Sequence, residues 1–194
     1  WSSDVCSSDL LARFLEGMPR RYTLSFKPHE IASHARLVDA FLDDEALVAV
    51  ELVPPDGALV DGLAGPAQVC VVARDRAGLL SEIAAAFARC RLQVHAATIH
   101  SWNRTEGAPL AIDVFWIERP GGDAVAPLLG QLKRTLADLV SGALSPAEAA
   151  RLRPRRAEGP AVPTKIIVDN RAAPEHTVVE VFCRDEPGVL FRLA

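Results

Sequence analysis

Two short phrases in this chain carry the one residue pattern that could build a binding site. Arg74, Asp75 and Gly78 recur as Arg184, Asp185 and Gly188 at a constant offset, and Leu80 with Leu190 and Ala84 with Ala194 extend the match. In each phrase an apolar run ends in charged residues, a glycine follows, and a helical pattern starts at once. Glycine lets the backbone come close to a ligand, because no Cβ stands in the way. The N–H groups of Leu79 and Leu80, at the helix start, could receive a carboxylate, as those of Val189 and Leu190 could in the second copy. Asp75 and Asp185 could answer an ammonium group. A turn that offers both suits an α-amino acid. The residues alone equally allow a structural reading, in which Asp75 only caps the helix and Gly78 only packs it.

Other chemistry is hard to find. The chain has no GxGxxG, no Walker loop, no GxSxG and no paired carboxylates at useful spacing. His95, His100 and His176 have no acidic or cysteine partner that sequence can place, and they read as strand or loop histidines. His29-Glu30-Ile31-Ala32-Ser33-His34 approaches the zinc-protease signature HExxH but has one residue too many. At about 100° per residue its two histidines point roughly 140° apart on a helix, so they cannot share a metal. Cys6, Cys70, Cys90 and Cys183 form no CxxC pair and read as reduced thiols. No catalytic and no metal-binding residue is expected.

The totals bound the class. A chain of 194 residues, 49% hydrophobic and 24% charged, is that of a soluble globular protein of one or two domains. A net charge of -4 argues against a nucleic-acid partner. No apolar run is long enough for a membrane span, and no secretory signal is visible, so a cytoplasmic location is expected. The chain starts at Trp1 and stops inside a helical pattern, which reads as a piece of a longer protein. Residues 1–10 repeat Ser-Ser-Asp without a structural period and are expected to be a non-native tail.

The elements that must hold the glycine turns follow from periodicity. Leu11–Leu15 is a short helical piece, and Pro28 with Glu30 opens a helix through Leu42. Val48–Val53 reads as a short strand ended by Pro54-Pro55. Residues 67–74 form a strand, Leu79–Arg89 a helix, and 92–101 with 110–117 a hairpin. A stripe of Leu128, Leu132, Leu136 and Leu139 marks a second helix, and Ser145-Pro146-Ala147-Glu148 has capping-box form. Arg151–Pro163 is an arginine- and proline-rich solvated linker. Strands follow at 165–169 and from Thr177 to Cys183. The order over 67–169 is β-α-β-β-α-β, an α+β, ferredoxin-like pattern with one antiparallel sheet and both helices on one face. The apolar residues on its strands predict that the other face is covered by another copy or a neighbouring domain.

The glycine phrases, Arg74-Asp75-Arg76-Ala77-Gly78-Leu79-Leu80 and Arg184-Asp185-Glu186-Pro187-Gly188-Val189-Leu190, resemble the Asp-Arg-Pro-Gly-Leu turn of ACT domains. The text between them is more specific. Ala111-Ile112-Asp113-Val114-Phe115, and Val168-Asp169-Asn170 with Ala173-Pro174-Glu175-His176-Thr177, resemble the ACT repeats and their bridge in bifunctional PII uridylyltransferase/uridylyl-removing enzymes. Met18-Pro19-Arg20-Arg21-Tyr22 with His34-Ala35-Arg36-Leu37 resembles the segment after that family's HD domain. The resemblance covers residues 11–194. It implies that 11–62 follows the HD domain as a mostly helical linker, that 63–170 is a first ACT domain, and that 171–194 begins a second, truncated one. It further implies a glutamine-sensing regulatory region controlling nitrogen metabolism, with ligand contacts at Arg74, Asp75, Gly78, Leu79, Leu80, Asp185, Gly188, Val189 and Leu190. The longer enzyme would move UMP from UTP to the PII signal protein and remove it again. Its magnesium and catalytic residues would belong to upstream domains, leaving this stretch without a cofactor. Partners would be glutamine or another small amino acid, PII through the parent enzyme, and ACT–ACT pairing within or between chains. Ala77 departs from the pattern, where proline is usual; Pro187 keeps it. Two alternatives stay open, an ACT interaction module without ligand and a piece of another ACT-bearing enzyme such as a ppGpp synthetase.

Overall fold

A computed structural model describes residues 3–44, 46–53, 66–104, 107–118, 125–151, 163–171, 178–184 and 188–194. Three helices come first: α1 (Ser3–Glu16), α2 (Arg20–Ser25) and α3 (Pro28–Asp43). Pro28 sits in the first turn of α3, where its missing N–H costs nothing, and the Glu30 carboxylate accepts the Lys27 N–H at 2.7 Å. α1 starts at Ser3, so one helix runs through the end of the stretch read as a tail.

Next come β1 (Val48–Val53), β2 (Ala67–Arg74), α4 (Leu79–Arg89), β3 (Val94–Trp102), β4 (Leu110–Ile117), α5 (Val125–Val140) and α6 (Pro146–Ala149). β5 (Lys165–Asp169), β6 (Val178–Phe182) and α7 (Val189–Leu193) complete the chain. Ser145 and Glu148 close the expected capping box at α6. Asp123, whose type and place just before the helical pattern from Val125 suit an N-cap, lies outside the described residues.

β1 to β4 form one antiparallel sheet in the order β1-β2-β4-β3. This is the α+β, ferredoxin-like architecture that the sequence predicts. The strand that completes it is different. Lys165–Asp169 was expected beside β2, but β1 holds that place and Lys165–Asp169 pairs with β6 in a separate two-stranded sheet. Chain length between partners gives the reason. Fourteen residues separate Val53 from its partner Gln68, and eight separate Asp169 from its partner Val178. A return from β5 to β2 would close a loop around the whole sheet, which costs more entropy than a hairpin. The repeated unit is therefore a hairpin, a glycine turn and a helix.

Both faces of the sheet are covered over its inner strands, β2 and β4. Val69, Val71 and Ala73 of β2 point to a core with Ile83 and Phe87 of α4 and Leu132 and Leu136 of α5. Cys70 and Val72 point the other way, with Ile112 and Val114 of β4, onto Phe14, Tyr22, Val38 and Phe41 of α1–α3. The face expected to meet a second copy or a neighbouring domain is thus capped by the preceding helices of the same chain. Close approach there depends on Gly17. Its carbonyl accepts the Asn103 N–H at 3.3 Å, and a Cβ at Gly17 would lie 2.5 Å from the Asn103 oxygen.

Candidate functional site

β2 delivers the chain to the glycine turn. At its end the Asp75 N–H donates to the Pro109 carbonyl at 2.9 Å, tying the strand end to the start of β4. Gly78 then takes φ 85° and ψ -8°, the left-handed conformation that L-residues avoid, and α4 begins at the next residue. Gly78 is exposed, and a Cβ built on it would meet nothing within 4 Å. The turn needs glycine for its backbone shape, and it faces open space.

The structure brings Arg74, Asp75, Gly78, Leu79 and Leu80 into one turn and corrects two details. Asp75 does not cap α4; no side chain does. The Asp75 carboxylate instead accepts the Ser101 hydroxyl from β3. The Leu79 N–H, expected to receive a carboxylate, already donates to the Arg76 carbonyl at 3.3 Å. Leu79 is buried in the core, Leu80 is half-buried, and Arg74 is exposed. Arg76 pairs with Glu82 at 2.6 Å, which ties the turn to the first turn of α4.

The second turn repeats the first. Gly188 has φ 81° and ψ 8° and starts α7. The Arg192 N–H donates to Gly188 at 3.2 Å, as the Glu82 N–H does to Gly78 at 3.2 Å. Val189 and Leu190 are half-buried, and Leu190 and Phe191 pack against the helix-side core next to α4. Asp185 lies outside the described residues.

Two buried polar features, one on each side of the sheet, have roles that the sequence did not assign. Asp113, in the middle of β4, is 1% exposed, and its Oδ1 has no hydrogen-bond partner. Burial pushes its carboxyl up to about 7; the His100 backbone N–H opposes this and the Asp75 charge adds to it. A lone acid in the apolar run Leu110–Ile117 was the available signal. On the opposite face, Tyr22 Oη and His34 Nδ1 lie 2.6 Å apart in a hydrogen bond, and Tyr22 meets the His100 ring edge-on at 5.1 Å. Burial, helped by the neighbouring His100, pushes His34 down to about 4. His34 is thus a neutral core histidine of α3. Among the described residues no group of three His, Cys, Asp or Glu side chains is placed to hold a metal ion, and no helix is long and apolar enough to cross a membrane.

The chain is similar over nearly all its length to curated proteins named bifunctional uridylyltransferase/uridylyl-removing enzyme. The Rhodospirillum rubrum protein is 32% identical over 186 residues, covering 92% of this chain and 19% of the relative. That of Azospirillum brasilense is 30% identical over 98% of this chain and 20% of its own length. That of Gluconobacter oxydans is 32% identical over 92% of this chain and 18% of its own length. The chain therefore spans about a fifth of the length of these relatives. No family model matches it, and no solved structure does.

Proposed function

Because the chain belongs to the bifunctional uridylyltransferase/uridylyl-removing enzyme family, we propose that it is that enzyme's regulatory region and senses a small amino acid, glutamine first. The observation that carries this reading is the Gly78 turn, a left-handed glycine facing open space at the start of a helix. Gly188 repeats that geometry at α7. The Asp75 carboxylate lies on the same turn and could answer the ligand's ammonium, while the Leu80 N–H could meet its carboxylate. Arg74, Asp185, Val189 and Leu190 complete the set of contacts. The longer cytoplasmic enzyme would transfer UMP from UTP to the PII protein and remove it. Its magnesium and catalytic groups would sit outside this stretch, which carries the control of nitrogen metabolism.

Calorimetric titration of the chain with glutamine tests the reading. Saturable heat is expected, and Gly78→Val is expected to remove it, because the branched side chain fills the space before the turn. Unchanged binding by that variant would overturn the site. An exposed apolar strip on β5 and β6, with Ile166 62% and Phe182 53% exposed, favours a second role in ACT–ACT pairing. That role predicts association without ligand.

A further inference from the structure

Asp113 accepts one hydrogen bond, from the His100 backbone N–H, and its Oδ1 has no partner. It lies between Ile112 and Val114 on a central strand, paired with Val71 of β2 and Ile99 of β3. Ala111 and Phe115, two residues to either side, belong to the helix-side core, so strand alternation places Asp113 on that same face. A valine there would continue the apolar packing. The acid instead sits 1% exposed, with one carboxyl oxygen unpartnered. Such a group costs free energy unless something arrives to compensate it.

Its surroundings point to what that is. Asp75 stands at the end of β2 on the same side and is close enough for its charge to act on Asp113. Ser101, on β3, donates its hydroxyl to Asp75. The neighbouring positions of β3 on that side, Ala97 and Ile99, are exposed, so that edge of the sheet lies open to solvent next to Asp113. Among the described residues no cationic side chain is paired with Asp113. Arg76 is occupied by Glu82, Arg74 is exposed, and the His100 ring is turned to the opposite face against Tyr22. Two carboxyl groups with a hydroxyl and no cation make a receptor waiting for a positive charge.

We propose that Asp113, with Asp75 and Ser101, forms the ammonium-receiving half of the amino-acid site, and that the ligand's cation displaces a proton held by Asp113. The inference rests on the amino-acid reading of the Gly78 turn and adds a residue and a proton to it. The balance is simple. Before binding, Asp113 holds the proton, because a carboxylate buried without a cation is costly to ionise. The ligand enters as R–NH3+, its charge replaces that proton's, Asp113 becomes a carboxylate, and one proton leaves to solvent. Asp113 is then a binding residue whose charge appears only with ligand bound.

Titration of glutamine near pH 6, below the value of about 7 to which burial raises Asp113, in two buffers of different ionisation enthalpy, reads the released proton directly. Release approaching one proton per ligand is expected from the wild-type chain. Asp113→Asn, of nearly the same shape, is expected to abolish the release and weaken binding about tenfold or more. Binding without proton exchange, or equal affinity in the Asn variant, would overturn the inference and leave the glutamine reading standing. If glutamine gives no heat, methylammonium chloride serves as the probe, with the Asp113 carboxyl followed by carbon NMR. A response in the wild type that is absent in the Asn variant would keep the cation site while removing glutamine. No response would remove both.

Discussion

Gly17 and Gly78 are glycines for opposite reasons, and substitution separates them. Gly78 has φ 85° with empty space where a Cβ would go. Alanine there costs only the left-handed penalty, about 1–2 kcal/mol. Gly17 adopts no such conformation, but its Cβ would collide with Trp102 and come within 2.5 Å of the Asn103 carbonyl. Alanine there pushes α1 and α2 off the end of β3, an overpacking cost of about 1–3 kcal/mol. Urea unfolding should find both variants destabilised. The Gly17→Ala loss should come with changed fluorescence from Trp102, whereas Gly78→Ala should leave that signal alone. An unchanged Trp102 signal in Gly17→Ala would mean that the helices do not close on the sheet in this way. Gly78 was legible in the sequence because its phrase is repeated. Gly17 was not, because a glycine before Met18-Pro19 reads as an ordinary turn and its neighbour lies far along the chain. Asp113 was visible as a lone acid in an apolar strand, but which face it took depended on the pairing of β4 with both neighbours.

At the scale of elements, periodicity located the strands and helices well and left their partners open. β1 and β5 are both short apolar runs, and nothing in their composition says which one lies beside β2. Order along the chain decides it, since each of them pairs with the strand that directly follows it. The cover on the second face was misread for a related reason. The helical pattern of α3 is plain in the sequence, but its apolar side shows only that it packs, not what it packs on. The two sheets should differ sharply in protection. β2 and β4 are buried on both faces, whereas β5 and β6 stand as a pair with Ile166, Val168, Val179 and Phe182 more than half exposed. A two-stranded sheet is marginal in water without further cover. Native-state hydrogen exchange should show β5 and β6 amides exchanging by local opening, orders of magnitude faster than the amides of β2 and β4. Equal protection in the two sheets would show that something covers the β5–β6 pair.

For the molecule as a whole, the buried ionisable groups on the two sides of the sheet oppose one another in their pH dependence. Asp113 is raised in the fold from its ordinary 3.8 to about 7. The folded chain therefore keeps a proton that the unfolded chain has lost, and stability falls as pH rises through that window. His34 is lowered from 6.5 to about 4. Here the unfolded chain holds a proton that the fold excludes, so stability falls as pH drops from 6.5 towards 4. His100 is lowered as well, by burial first and then by the Arg21 charge, and acts in the same direction as His34. Each group alone gives a slope of about 1.4 kcal/mol per pH unit, with opposite signs for acid and histidine. Where the windows overlap the two largely cancel, and the wild-type chain should show a nearly flat urea-unfolding profile through mildly acidic pH. Asp113→Asn removes the falling limb, so the variant should gain stability towards neutral pH, on the order of a few kcal/mol by pH 8. His34→Gln, which can still meet the Tyr22 hydroxyl, removes the rising limb and should leave a chain that weakens as pH rises. The double variant should return to a shallow profile, because the two groups lie on opposite faces of the sheet and meet different parts of His100, its ring for His34 and its backbone N–H for Asp113. A wild-type profile that rises with pH as steeply as that of the Asn variant would mean that Asp113 is already ionised in the folded chain. In that case a cation compensates it before any ligand arrives, and the proton assigned to Asp113 is not there to be displaced.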